Sequence, residues 1–181
     1  MIEHSFSQSV KADLLKVPDK TEEEMQAELV TAFLCAGRPG AEKSELQQFF
    51  ATVSSAYAER LVGQLRAVGL DALAEKSEKT ASSMWYVYPL PIDNMTFSDL
   101  LLQYEKEEIQ DQITSSPLPL RAALRGAFLA AGVMSEPKKA YQIEISARNS
   151  RTADYLTLLL HAENIEPSIL NRNGHPTIYF K

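Results

Sequence analysis

Apolar positions along the chain repeat one pattern twice: residues 29–37 (LVTAFLCAG) and 124–132 (LRGAFLAAG) match at an offset of 95. Both predict a short helix stopping at a glycine. Small residues recur four apart in each, Thr31 with Cys35 and Ala32 with Ala36 in the first, Gly126 with Ala130 and Ala127 with Ala131 in the second. That spacing lays a flat stripe on one helix face, so the two copies are expected to pack closely across a pseudo-twofold axis. Gly37 and Gly132 are expected to cap the helices in the left-handed conformation.

The same periodicities assign the rest. Val10, Leu14 and Leu15 predict a helix over 5–15, capped by Ser5 or Ser7. Thr21, with Glu22, Glu23 and Glu24 in the first turn and Glu24 at the capping-box position, opens the helix that ends at Gly37. A turn is expected at 38–40. Residues 44–52 fit either state by themselves, and the 95-residue offset onto the alternating segment of Tyr141, Ile143 and Ile145 selects strand. Residues 54–68 read as a helix with Tyr57, Leu61, Leu65 and Val68 inward, 71–74 and 84–88 as strands, and 75–83 as a charged loop. One linking helix is expected over 96–113, ended by Pro117 and Pro119. The second copy then runs helix (120–131), strand (141–146), helix (149–163), and strands 168–172 and 177–180 around a longer loop at 172–176. Each half reads helix, two strands, helix, two strands. This is an α+β chain of two repeats, 1–116 with the linking helix and 117–181.

Composition narrows the function. The 181 residues are long enough for a substantial core, and no apolar run is long enough for a membrane helix, so a cytoplasmic protein without a membrane partner is expected. The single Cys35 excludes disulfides within the chain and suits a small buried hydrophobe. Residues 1–120 hold 10 basic against 19 acidic residues, net −9, and 121–181 hold 8 against 5, net +3. Phosphate affinity comes from Lys and Arg, so contact with nucleic acid must be local or supplied by another module.

The doubled glycine-terminated helix, each copy followed by strands, helix and strands, resembles the LAGLIDADG homing-endonuclease architecture. Residues 124–133 and 136–145 (EPKKAYQIEI), with 5–11 (SFSQSVK) and the helix from Ser54, are similar to the WhiA family of bacterial regulators of sporulation and cell division. The resemblance implies a nuclease-derived domain that in the family is joined to a promoter-binding helix-turn-helix, absent from these 181 residues. It implies double-stranded DNA as a partner, with a helix-turn-helix module or protein partner beside it, at the bacterial nucleoid; the net −9 of the first half makes that hold weak for this chain alone. In the endonucleases an acidic residue before each glycine gathers divalent metal. Here those positions are Ala36 and Ala131, which implies no metal site, no cofactor and no nuclease activity.

Other chemistry is sparse. His4, His161 and His175 lack metal-ligand spacing, and no phosphate-binding glycine loop is present. Glu144 and Glu166 read as solvated. Trp85 and Tyr86 read as core and cross-strand pairing rather than base-stacking platforms. Lys138, Lys139, Arg148, Asn171, Arg172, Asn173 and His175 cluster at second-half turns and strand ends. They either contact phosphate or decorate solvated turns, and Glu144 on the same strand face favours the second. Two functions besides regulation stay open: a protein-interaction or ligand-sensing module, and a nuclease using other acids.

Overall fold

In the computed structural model, which describes residues 5–39, 48–77, 83–90, 96–136, 138, 141–172 and 174–181, the two patterned segments form the central pair of packed helices, α2 (Glu22–Ala36) and α6 (Pro117–Ala131). Ahead of them, α1 (Phe6–Leu14) is closed by a reciprocal capping box in which Ser5 accepts from the Gln8 amide and the Gln8 side chain accepts from the Ser5 amide. Thr21 caps α2 by accepting from the Glu24 amide, but the Glu24 carboxylate reaches back one residue further, to the Lys20 amide.

After α2 the chain forms β1 (Arg38–Pro39), β2 (Gln48–Thr52), α3 (Ser55–Ala67), β3 (Asp71–Ser77) and β4 (Met84–Leu90). After α6 it forms β5 (Gly132–Met134), β6 (Ile143–Ser146), α7 (Ser150–Ala162), β7 (Ser168–Arg172) and β8 (His175–Phe180). Each set closes an antiparallel sheet in the same order, β1-β2-β4-β3 and β5-β6-β8-β7. Two helices, α4 (Phe97–Tyr104) and α5 (Glu107–Ser115), connect the halves. Helices cover one face of each sheet, burying Phe33, Phe50, Leu61 and Val87 in the first half and Ile145, Leu156, Leu159 and Ile178 in the second.

Several expectations are corrected. Gly37 and Gly132 are extended rather than left-handed, because the chain runs straight from each helix into a strand. At Gly132 space is the constraint: a Cβ would collide with Phe128. The left-handed stops lie after α3 and α7, at Gly69 (φ 83°) and its counterpart Asn164 (φ 59°), 95 residues on. Arg38 and Pro39 belong to a strand paired with Phe49 and Gln48, not to a turn, and residues 40–47 lie outside the described residues. Glu75, Lys76 and Ser77 continue β3, with their charges on its exposed edge. The linking helix breaks at 105–106, and Pro117 starts α6 instead of ending its predecessor, since proline suits the first helical turn. The 172–176 loop is a tight turn: Arg172 pairs with His175, and Gly174 at φ 82° supplies the reversal.

Candidate nucleic-acid interface and the buried charge cluster

The α2–α6 seam is tight at Gly126, the first position of the second small-residue stripe. A Cβ on Gly126 would overlap the Glu28 carbonyl oxygen, so glycine there lets the backbones meet. Of the predicted stripe, Thr31, Ala32 and Ala127 are fully buried and Cys35 nearly so, while Ala36, Ala130 and Ala131 are half-buried at the helix ends. Thr31 turns to α7, its hydroxyl 3.4 Å from that of Tyr155. Burial pushes the Cys35 thiol up to about 12, as expected for an inert hydrophobe. Ala36 and Ala131 present no side-chain oxygen where the helices run out into β1 and β5.

The buried acids of this seam lie two turns earlier, at a cluster that periodicity does not expose. Glu28, 1% exposed, accepts from Arg60 Nε at 2.5 Å and Nη2 at 2.8 Å, and from Arg125 of α6. Asp19 accepts from Arg60 Nη2 at 3.0 Å, Gln64 Nε2 at 2.9 Å and Arg125. Two guanidiniums against two carboxylates leave the cluster neutral. Burial pushes the Glu28 carboxyl up, but Arg60, Arg125 and Gln64 outweigh it and hold it below its ordinary value. For Asp19, burial prevails over Gln64 and both arginines, with the Glu28 charge adding to it, and the carboxyl is raised. The available sequence signal was a glutamate and an arginine inside two largely apolar helices, which need partners if buried.

Opposite the helices, each sheet has a second face. In β4, Val87 is buried and Trp85 packs on the core, so alternation puts Tyr86 and Tyr88 on that face, each 5.8 Å from the Phe49 ring. Asp71, Leu73 and Glu75 share it from β3, making the first half's face aromatic and acidic, with Arg38 as a cation on β1. In the second half, Glu144, Tyr179, Arg172 and His175 share the corresponding face. Arg172 Nη1 donates to Glu144 at 2.8 Å, and the Gln142 amide binds the other carboxylate oxygen. Arg148 and Lys138 are exposed nearby in sequence, just beyond β6 and just before it. Asn171 alternates to the α7 side, where it lines a shallow cleft with Ala153 and Asp154. Lys139, Asn173 and His4 lie outside the described residues. The structure thus brings Arg172 and His175 together, ties Arg172 to Glu144, and separates Asn171 from both. Glu166 has its own partner, His161 at 3.2 Å.

Comparison with known proteins places this geometry. A family model for the WhiA LAGLIDADG-like domain matches residues 120–181. The crystal structure of the N-terminal LAGLIDADG domain of DUF199/WhiA superposes with a TM-score of 0.75 at 20% identity, covering 99% of this chain and 87% of that one. The fold is the LAGLIDADG fold of WhiA. Probable cell division protein WhiA of Ruminiclostridium cellulolyticum is 28% identical over 98% of the chain, and that of Thermoanaerobacter pseudethanolicus 24% over 98%. The chain spans 59% and 60% of those relatives' lengths. The homing endonuclease I-DmoI, solved with DNA and Mn, shares the fold at a TM-score of 0.57 and 10% identity, covering 89% of this chain and 91% of that one. Both likenesses span the doubled helix-strand-strand-helix-strand-strand plan of this chain, whose seam holds the buried charge cluster. No described helix is long and apolar enough to cross a membrane.

Proposed function

We propose that this chain is a non-cleaving LAGLIDADG scaffold of a WhiA-type transcriptional regulator, acting at the bacterial nucleoid. It touches double-stranded DNA weakly and without sequence preference, while an attached or associated helix-turn-helix module or protein partner supplies recognition. The observation carrying this reading is alanine at both positions, Ala36 and Ala131, where the endonuclease motif implies metal-binding acids. Without a carboxylate on either side, no divalent ion is held to polarise a phosphodiester or activate water. The 1–116 and 117–181 halves act as the two arms of the scaffold, with Thr31, Ala32, Cys35, Gly126, Ala127 and Ala130 lining the seam between them. Contact with phosphate falls to the second arm, through Arg148, His175, Lys138 and whatever share of Arg172 escapes Glu144. The first arm, with Asp71 and Glu75 on its sheet, repels a duplex.

Two measurements on the whole chain test this. Supercoiled plasmid incubated with Mg²⁺ or Mn²⁺ stays supercoiled; nicking that survives repurification and is lost on mutating a nearby acid would refute the non-cleaving reading. Gel-shift titration on promoter and scrambled duplexes gives equal affinities, on the order of 10⁻⁴ to 10⁻⁶ M at physiological salt, falling steeply with added salt. Nanomolar, sequence-selective binding would make the sheet face the reader. A second reading, a protein-interaction or ligand-sensing module, is favoured by the aromatic and acidic face formed by Phe49, Tyr86, Tyr88 and Glu75.

A further inference from the structure

The two sheets share a topology, and their registers superpose with Phe50 on Ile145 and Val87 on Ile178. That sets Phe49 against Glu144, Tyr86 against Thr177 and Leu73 against Ser168, on the faces turned away from the helices. Glu144, Thr177 and Ser168 complete the same sheet in the second half, so the fold does not require the bulkier apolar residues of the first. Phe49 lies between Tyr86 and Tyr88, 5.8 Å from each ring, and Leu73, opposite Tyr88 on the neighbouring strand, is 45% exposed. In a layered α+β fold a helix covers an apolar sheet face, as α3 covers the inner face of this sheet.

The charges on the rim select the sign of what covers the outer face. Glu75 faces Tyr86 across the β3–β4 ladder, is exposed, and has no ion-pair partner among the described residues. Burial, then the Glu75 charge, raises the Tyr88 phenol above its ordinary value, so the carboxylate acts on that ring as well. Asp71, on the same edge strand, meets Arg66 at 3.5 Å with both side chains more than half exposed, a pair weak enough to share. A carboxylate beside aromatic faces receives an ammonium or guanidinium, charge against charge and over the ring. A phosphate backbone is repelled by the same groups. Arg38 stands at the opposite edge, on β1, so cations of a partner are steered to the β3 side.

We propose that the outer face of the first sheet docks a basic amphipathic helix of a protein partner. Its leucine-type stripe lies along Leu73, Tyr88, Phe49 and Tyr86, and the lysines or arginines on one flank reach Glu75 and Asp71. The proposal rests on the protein-interaction reading given above and names the chemistry of the partner. Weak duplex contact stays with the second arm, so the two halves present different faces to different partners.

The test is fluorescence anisotropy of the whole chain with a labelled helical peptide of about five turns, leucine on one face and lysine on the other. A twin with glutamate in place of lysine is the control. The lysine peptide binds, and the glutamate twin binds about tenfold more weakly or worse. Y86T, which gives the first sheet the residue type of Thr177, weakens the lysine peptide about tenfold through the lost aromatic anchor. E75Q weakens it about threefold, as loss of an exposed charge contact should. E107Q, which removes a carboxylate from an exposed position of α5, changes nothing. Each variant is checked for native circular dichroism, and E75Q, on the surface, serves if Y86T does not fold. Failure of the lysine peptide to bind overturns the proposal, as does equal weakening in E75Q and E107Q, which would mean diffuse attraction. Preference for the glutamate twin, lost in Y86T, overturns the basic assignment and leaves the protein-interaction reading standing. If neither peptide binds and Y86T instead weakens a DNA duplex, both fall; if Y86T instead abolishes self-association of the chain, the face belongs to a second copy and the proposal is overturned.

Discussion

Glu28 and Arg125 carry the largest electrostatic stake in the molecule. Each side chain is at most 9% exposed, and each partner compensates the desolvation of the other. Glu28→Gln leaves Arg60 and Arg125 facing one carboxylate instead of two, and the expected loss is about 3–5 kcal/mol of unfolding free energy. Urea titration at neutral pH measures it. The pH dependence follows in sign. Glu28 is held below its ordinary value of 4.5, so its contribution is present above that pH and is lost as pH falls through the lower folded value. Asp19 is raised above its ordinary 3.8, so its contribution runs oppositely, present below 3.8 and lost as pH rises through the folded value. The stability gap between wild type and Glu28→Gln therefore narrows as pH drops below 4.5. A gap that stays constant through that window would mean that folding does not shift the Glu28 pKa.

At the level of elements, two helical glycines separate packing from propensity. Gly126 sits where a Cβ would strike the Glu28 carbonyl of α2, whereas nothing lies within 4 Å of a Cβ on Gly63 in α3. Gly126→Ala should cost about 1–3 kcal/mol through overpacking, although alanine is the better helix former. For a chain of this size, each kcal/mol lowers the melting temperature by roughly 2–4 °C. Gly63→Ala should instead stabilise by up to about 1 kcal/mol. Calorimetry of both variants checks the pair, and shifts of the same sign would contradict the close α2–α6 approach. The break between α4 and α5 belongs to this scale too. The apolar spacing carries on past Tyr104, so the sequence reads as one helix. The chain breaks because Phe97, Leu101 and Tyr104 are buried on α4 and Ile113 on α5, and the Gln110 side chain takes the free Tyr104 carbonyl.

Across the whole molecule, the two sheet faces are alike in topology and unlike in charge. Glu144→Gln removes one negative charge from the second face and releases Arg172. On the scaffold reading it should tighten duplex binding and steepen the dependence of log affinity on log salt by about one. Fluorescence anisotropy over a salt series measures both, and an unchanged slope would mean that Arg172 does not reach phosphate.

The doubled pattern at an offset of 95 determined the repeat plan, the fold class and most helices, because amphipathic period is a local property, while the resemblance to the LAGLIDADG architecture singled out Ala36 and Ala131. The offset also carried the strand assignment of β2, which its own residues left ambiguous. Tertiary structure decided what depends on neighbours distant in sequence. It put Glu28, Arg125, Arg60 and Asp19 into one neutral cluster, although they span 106 positions of the chain. It extended Gly37 and Gly132 into strands, tied Arg172 to Glu144 and turned Asn171 toward α7. It also gathered Phe49, Tyr86, Tyr88 and Glu75 on one sheet face. Each of these rests on which side chain faces which across a seam, and a linear pattern holds the faces but not their partners.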